Sequence, residues 1–188
     1  MKQARTLTDK QLKQVLAHCS TRHHAARDRA IVLFSFLAGL RAKEIAALTL
    51  ANVVADDGKV RDEFTLSPQQ TKGRKARRVF INDRLQKELT LYLKQVKLRE
   101  ICPALFQSQK GSHFSANTMC QLLLRIYDEA GFSDATSHTG RRSMITALAA
   151  KGIGVRVLQT LAGHSSISTT QRYIDVNDQQ LRAAVELA

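Results

Sequence analysis

The stretch LAGHSSISTTQRYID, residues 161–175, combines a glycine–histidine turn, a run of small hydroxyl side chains and one tyrosine. Gly163 is typical of a residue that ends a helix, and Ser168 with Gln171 is predicted to cap a short helix after it. Tyr173 follows about one turn beyond that cap, and only three tyrosines occur in the chain. A tyrosine at a helix end is usually structural, so the stretch points to a function only together with other motifs.

The charge of the chain predicts a polyanionic partner. Lysine and arginine outnumber aspartate and glutamate by 29 to 16 in 188 residues, which gives a net charge of +13. This excess favours nucleic acid over an anionic membrane, because no basic amphipathic helix stands out. A basic protein that is merely soluble is the alternative at this point.

The cysteines and the apolar runs predict a cytoplasmic protein. Cys19, Cys102 and Cys120 are an odd number without metal-ligand spacing, which favours a reducing compartment. The N-terminus lacks the apolar core of a signal peptide. The longest apolar run, residues 30–40, is interrupted by a serine and a glycine. It is shorter than the roughly 20 residues that cross a bilayer, so it predicts a buried helix.

Most of the chain has the apolar spacing of helices. Thr8 and Gln11 predict a capping box for the first helix. Further helices are predicted over about 23–38, from 40 onward, and over about 83–98, 115–130, 141–151, 155–162 and 178–188.

The region from about 55 to 81 has a different pattern. VRDEFTL alternates like a strand, and RRVFI is a second strand after the turn TKGRKA. We therefore predict a fold that is mainly α with a small antiparallel β-sheet (α+β). It forms a single domain over 1–188, with the hairpin region at about 55–81 and a C-terminal helix at about 177–188.

Two short motifs carry an arginine with a polar partner one turn away. In SHTGRRS, His138 and Arg141 are three residues apart, so a helical turn brings them to one face. In AGLRAKEIAAL, Arg41 is followed one turn later by Glu44. Each pair could also be an ordinary surface contact that adds little to the stability of the fold. The functional alternative is a pair of phosphate clamps, because a guanidinium can hold two phosphate oxygens at once.

The hairpin turn TKGRKARR is strongly basic. It holds five cationic residues and no acid from Lys72 to Arg78. A solvated turn, or phosphate contact without catalysis, would explain this composition. A lysine there could also reach a backbone phosphate and donate a proton.

Together these motifs supply what phosphodiester transfer without a metal needs. In chain order, the residues are Arg41, Lys72, His138, Arg141, His164 and Tyr173. A tyrosine hydroxyl with a pKa near 10 is only about a thousandth ionised at pH 7, a deficit of about 4 kcal/mol. Two guanidiniums can stabilise charge on the transferred phosphate, as Mg²⁺ does in many nucleases. No carboxylate cluster accompanies the motifs, so neither a metal nor a cofactor is predicted.

The motifs resemble those of the tyrosine recombinases, the phage integrase family, and the resemblance runs from about Thr6 to Val185. AGLRAKEIAAL resembles the first arginine motif of that family, TKGRKARRVFI its lysine hairpin, and SHTGRRS its His-x-x-Arg box. LAGHSSISTTQRY resembles the segment from histidine to nucleophile, and it is specific in both wording and spacing.

The resemblance implies a covalent mechanism. Tyr173 would attack the scissile phosphate, form a 3′-phosphotyrosine and release a 5′-hydroxyl, while Arg41 and Arg141 hold the non-bridging oxygens. Lys72 would protonate the leaving 5′-oxygen. Because the phosphotyrosine keeps the bond energy, rejoining would require no ATP.

The resemblance also assigns the remaining residues. His138 would be the acid–base partner of the tyrosine, His164 would hydrogen-bond the phosphate, and Glu44 would orient Arg41. The side chains expected to contact double-stranded DNA are Arg74, Lys75, Arg77 and Arg142.

Two departures from the family pattern lead to further expectations. Gly140 stands where leucine is common, and we expect it to loosen the turn that carries Arg141. Only forty residues precede Arg41. We therefore expect the N-terminal core-binding domain of many members to be absent. A single-domain recombinase and a catalytic domain separated from a longer integrase both fit.

The family also suggests a partner copy and an origin. A terminal helix docks on a neighbouring protomer in the family, and the amphipathic C-terminal segment fits such a role or a core helix equally. We expect a homotetramer on paired DNA sites, compatible with a monomer in free solution, in a bacterial, phage or mobile-element setting near the nucleoid. The rival functions are a DNA-binding regulator on the same fold and a tyrosine-using topoisomerase.

Overall fold

Helices make up most of the chain, with one hairpin between them. The computed structural model describes residues 4–71, 73–97, 102–108, 111–174, 181–182 and 185–186. In chain order these residues form α1 (Asp9–Thr21), α2 (Ala25–Leu37), α3 (Ala42–Ala46), α4 (Leu50–Val53), β1 (Glu63–Leu66), β2 (Arg77–Phe80), α5 (Asp83–Gln95), α6 (Ala116–Glu129), α7 (Thr139–Ala150), α8 (Val155–Ala162) and α9 (Ile167–Gln171). The predicted fold, mainly α with a small antiparallel sheet, is confirmed.

Helices α1, α4, α5 and α6 begin where a side-chain oxygen accepts a hydrogen bond from a free amide group of the first turn. Thr8 accepts a hydrogen bond from the Gln11 amide and the Gln11 side chain accepts one from the Thr8 amide, so the predicted capping box is confirmed. Asn82 and Ser115 cap α5 and α6 with their side-chain oxygens. Helix α8 ends at Gly163, whose φ of 60° is a left-handed conformation that glycine adopts without strain.

The two strands place one arginine on the core side of the sheet. β1 and β2 pair antiparallel, with Leu66 opposite Arg77. Side chains alternate along each strand, which buries Phe64 and Leu66 in β1. In β2 the same alternation buries Arg77 and Val79.

Helix α2 lies at the centre of the core and is buried throughout from Ala30 to Phe36. It packs against α1, α5 and α7, while α3 packs against α6. The longest apolar run is thus a buried helix, as predicted. None of the described helices has the length and apolar character needed to cross a membrane.

The structure differs from the sequence prediction near the C-terminus and after α3. The N-cap of α9 is Ser166, and Ser168 lies inside the helix, so the predicted cap at Ser168 and Gln171 is wrong. The short helix α4 was not predicted. The expected C-terminal helix at about 177–188 lies largely outside the described residues.

Candidate active site

Glu44 is a buried carboxylate that holds two arginines. It lies in the first turn of α3 and is 1% exposed. Its Oε1 accepts a hydrogen bond from Arg41 Nη1 at 3.0 Å. Its Oε2 accepts from the Arg41 backbone amide at 2.8 Å and from Arg77 Nη2 at 2.9 Å. The carboxylate therefore fixes the direction of the Arg41 guanidinium, which remains partly exposed.

Arg77 does not lie where the sequence led us to expect it. The sequence predicts a DNA-contacting residue in the basic hairpin, whereas the Arg77 side chain is 8% exposed on the core face of β2. Its guanidinium donates to Glu44 and, at 2.7 Å, to the carbonyl oxygen of Leu161. A β-carbon on Gly163 would collide with the Arg77 side chain, so this glycine leaves room for the arginine. Arg77 therefore links β2, α3 and the end of α8.

Arg141 is the second arginine of the site and is 3% exposed. It donates from Nη1 to the carbonyl oxygen of Gly39 at 2.6 Å and from Nη2 to that of Ala162. Burial, and then the nearby charges of Arg41 and Arg77, lower the pKa of Arg141 to about 9. The guanidinium is therefore still cationic at pH 7, and backbone oxygens fix its position.

His164 is a buried, neutral imidazole at the centre of the site. Its Nδ1 lies 2.9 Å from the hydroxyl oxygen of Thr170, a fully buried residue of α9. Burial, and then the charges of Arg141, Arg41 and Arg77, lower the pKa of His164 to about 4. Near pH 7 this side chain can therefore take part in hydrogen bonds without carrying a charge.

Tyr173 lies directly beside His164. The two rings are stacked, with their centroids 5.6 Å apart and an angle of 15° between the planes. The guanidinium carbon of Arg142 is 5.2 Å from the centroid of the Tyr173 ring, a cation–π contact. The other tyrosines of the chain, Tyr92 and Tyr127, are buried in the core, and burial raises the pKa of both hydroxyls. Tyr173 alone of the three is half-buried at the surface.

Three of the remaining expected site residues are exposed at the surface. His138 is exposed at the N-cap of α7, whereas Arg141, one turn later, is buried. Arg74 and Lys75 are exposed in the hairpin turn. Lys72, the expected proton donor, lies outside the described residues. The structure thus brings Arg41, Glu44, Arg141, His164 and Tyr173 together.

Gly140, which stands where the family commonly has leucine, lies at a close contact between two helices. It lies in the first turn of α7 and is buried against α2. A β-carbon at this position would lie 2.5 Å from Ser35 Oγ and 2.7 Å from Phe36 Cδ2. The missing side chain lets the two helices approach closely, and this contact positions Arg141.

Of the residues that shape the site, the sequence analysis did not identify Thr170 and gave Arg77 a different role. The Thr170 hydroxyl contacts the His164 ring. Thr170 lies three residues after Ile167 and three before Tyr173, a helical spacing that could have predicted its burial. The burial of Arg77 could have been predicted from its alternation with Val79, which marks the buried face of the strand.

The arrangement is suited to an oxyanion. Two fixed guanidiniums and a neutral imidazole lie next to a phenol, and the one buried carboxylate between them is fully occupied by arginines. Within the described ranges, no three His, Cys, Asp or Glu side chains form a group that could hold a metal ion.

The fold is shared with solved recombinases. The crystal structure of XerA recombinase superposes with a TM-score of 0.78 at 24% identity, covering 99% of this chain and 66% of that one. The Tn1549 transposon integrase in complex with circular intermediate DNA superposes with a TM-score of 0.77 at 20% identity, covering all of this chain and 68% of that one. The fold is therefore that of a tyrosine recombinase catalytic domain.

The sequence establishes the family. The profile of the phage integrase family matches residues 5–180. Tyrosine recombinase XerA of Pyrococcus horikoshii is 30% identical over 187 residues, which cover 98% of this chain and 61% of that protein. This chain belongs to the phage integrase family. It spans about three fifths of the length of that relative.

Proposed function

We propose that the chain is the catalytic part of a tyrosine-type site-specific recombinase that cuts and rejoins strands of double-stranded DNA. The observation that carries this proposal is the stack of Tyr173 on the neutral ring of His164, beside two guanidiniums fixed by Glu44 and by backbone oxygens. Relatives whose names and structures are those of recombinases and transposon integrases support it.

In the proposed reaction, the phenolic oxygen of Tyr173 forms a bond to the scissile phosphorus. The bond from phosphorus to the 5′-oxygen breaks, and that oxygen takes a proton from Lys72. The product is a 3′-phosphotyrosine and a free 5′-hydroxyl. A 5′-hydroxyl of a partner strand then reverses the step, so the number of phosphodiester bonds is conserved and no ATP is consumed.

The guanidiniums of Arg41 and Arg141 stabilise the charge that develops on the non-bridging oxygens. Both are held in place before the substrate arrives, so little reorganisation is needed in the transition state. His164 donates a further hydrogen bond to the same phosphate, and His138 accepts the phenolic proton. In this proposal the two arginines stabilise the charge that a divalent ion stabilises in many nucleases.

The test is a nicked duplex from which the cleaved end diffuses away. We expect a protein–DNA adduct that survives denaturation and forms in EDTA. Tyr173→Phe abolishes the adduct, whereas Tyr92→Phe, the matched change at a buried tyrosine, retains it. An adduct that forms equally in Tyr173→Phe would overturn the proposal.

The arginines are tested by separating cleavage from binding. Replacing Arg41 or Arg141 by alanine removes transition-state contacts, so cleavage falls by about 10²-fold or more while DNA affinity changes far less. Equal losses of cleavage and affinity would instead indicate that the arginines serve folding.

The same assays distinguish the rival functions. Site-specific binding with no adduct in the native protein would indicate a DNA-binding regulator. Relaxation of plasmids that lack a specific site would indicate a topoisomerase.

We further propose that four copies assemble on two paired DNA sites in the cytoplasm, since strand exchange needs a partner duplex. Light scattering of the protein with its DNA site tests this assembly. A complex that never reaches four protomers per pair of sites would contradict it.

A further inference from the structure

The hydroxyl of Thr170 contacts a ring nitrogen of His164 and is not part of the expected set of site residues. Thr170 is fully buried in α9, and its Oγ1 lies 2.9 Å from His164 Nδ1. Both groups therefore depend on each other for a hydrogen bond that water cannot replace.

The charge state of His164 limits the ways in which this bond can form. The surrounding guanidiniums and burial keep the imidazole neutral near pH 7. A neutral imidazole has one nitrogen that donates and one that accepts. The direction of the hydrogen bond to Thr170 therefore decides whether Nδ1 is the donor or the acceptor, and Nε2 must then be the other.

The hydroxyl of Thr170 decides between the two arrangements. Within the described part of the chain, this hydroxyl has no hydrogen-bond partner other than His164 Nδ1. If Nδ1 carried the proton, the buried hydroxyl proton would have no acceptor, which costs about 1–3 kcal/mol. If the hydroxyl donates to Nδ1, both groups are satisfied. The second arrangement is therefore the stable one.

We propose that Thr170 is a positioning residue that donates its hydroxyl proton to Nδ1 of His164 and thereby keeps the other proton of the ring on Nε2. A phosphate oxygen is an acceptor only, so an Nε2–H group can bind it and a bare Nε2 would repel it. Thr170 thus prepares His164 to donate to the substrate before the substrate arrives.

The charge state and tautomer can be measured without DNA. In protein labelled with ¹⁵N in its six histidines, His164→Gln identifies the His164 signals. We expect a neutral ring with a bare, hydrogen-bonded Nδ1 and a protonated Nε2 in the wild type and in Thr170→Ser, which keeps the hydroxyl. Thr170→Val, which has nearly the same shape without the hydroxyl, shows a mixture of tautomers. A wild-type ring protonated on Nδ1, or an unchanged tautomer in Thr170→Val, would overturn the proposal.

A second readout connects the tautomer to cleavage and rests on the proposed function. Adduct formation falls about 10- to 100-fold in Thr170→Val, the range for one hydrogen bond to a charged group, and recovers in Thr170→Ser. Cleavage at the wild-type rate in Thr170→Val would contradict the role of Thr170. If the wild type forms no adduct at all, the proposed function fails, and the tautomer measurement still decides the assignment of the proton.

Discussion

At the scale of single residues, one buried carboxylate holds two arginines, of which the sequence predicted only Arg41 as its partner. Glu44 accepts hydrogen bonds from Arg41 and from Arg77, and neither Glu44 nor Arg77 is more than 8% exposed. A buried ion pair adds little net stability, but removing one partner leaves a charge without compensation. Arg77 therefore matters for folding and for the direction of Arg41, although it is unsuited to contact DNA.

Replacing Arg77 by methionine keeps the apolar stem and removes the charge. We expect the free energy of unfolding to fall by about 3 kcal/mol, because Glu44 loses a buried partner. Arg78→Met is the matched control. The neighbouring Arg78 pairs with Glu63 in an exposed position, so its loss changes stability by less than about 1 kcal/mol. Urea unfolding of both variants measures the difference, and equal losses would contradict the buried role of Arg77.

The neutral state of His164 predicts a pH dependence of stability. Its pKa is about 4 in the folded protein and 6.5 in the unfolded chain, so between these values only the unfolded chain binds the proton. The free energy of unfolding therefore decreases as the pH falls from about 6.5 towards 4. His164→Gln removes this contribution, and the difference from the wild type is measured by urea unfolding at several pH values. The control is His113→Gln, at an exposed position. A difference between wild type and His164→Gln that does not vary with pH would show that His164 is not kept neutral.

At the scale of elements, the position of Arg141 depends on the contact between α7 and α2. Gly140 allows this contact, because any side chain would meet Ser35 and Phe36. The next residue, Arg141, reaches Gly39 at the end of α2 and Ala162 at the end of α8. Three helix ends thus converge on one guanidinium, and small shifts of α7 would move it.

Gly140→Ala tests this packing. Alanine favours a helix by about 1 kcal/mol over glycine, so a helix without the contact would be stabilised. Because its β-carbon would overlap α2, we expect a net loss of about 1–3 kcal/mol in thermal or urea unfolding. Gly73→Ala, where a β-carbon meets no atom within 4 Å, is the control and changes stability by about 0.5 kcal/mol at most. Stabilisation by Gly140→Ala would show that the helices can move apart freely.

At the scale of the whole molecule, the proposed function uses the excess of positive charge to bind the phosphates of DNA. The net charge is +13, and the hairpin turn presents Arg74 and Lys75 to solvent. Binding that neutralises phosphates releases counterions, so affinity falls steeply as salt rises.

Arg74→Gln and Lys75→Gln should each reduce the slope of log affinity against log salt by about one unit, because each removes one phosphate contact. Fluorescence anisotropy with a labelled duplex over a series of salt concentrations measures this slope. Lys59→Gln is the control, because Lys59 is already paired with Asp57 at 2.9 Å. An unchanged slope in both hairpin variants would place the DNA contact elsewhere.

Local patterns were sufficient for much of the fold. The capping box at Thr8, the hairpin and the buried helix α2 follow from interactions between residues close in sequence, and all were predicted. The predicted cap of α9 at Ser168 was wrong, because the helix begins after Ser166, whose side chain makes no capping hydrogen bond. A pattern of capping residues therefore marks the start of α1 at Thr8 but not the start of α9.

The sequence by itself determined which chemical groups the site contains, since Arg41, Glu44, Arg141, His164 and Tyr173 lie in motifs whose residue types and spacing are local properties of the chain. Only the tertiary structure decided what surrounds each group. Arg77 is buried and therefore cannot be one of the expected DNA contacts. Burial lowers the pKa of His164, and the buried positions of Thr170 and Gly140 bring them into contact with His164 and α2. Burial and electrostatic fields depend on residues far apart in the chain, and a linear pattern cannot express those distances.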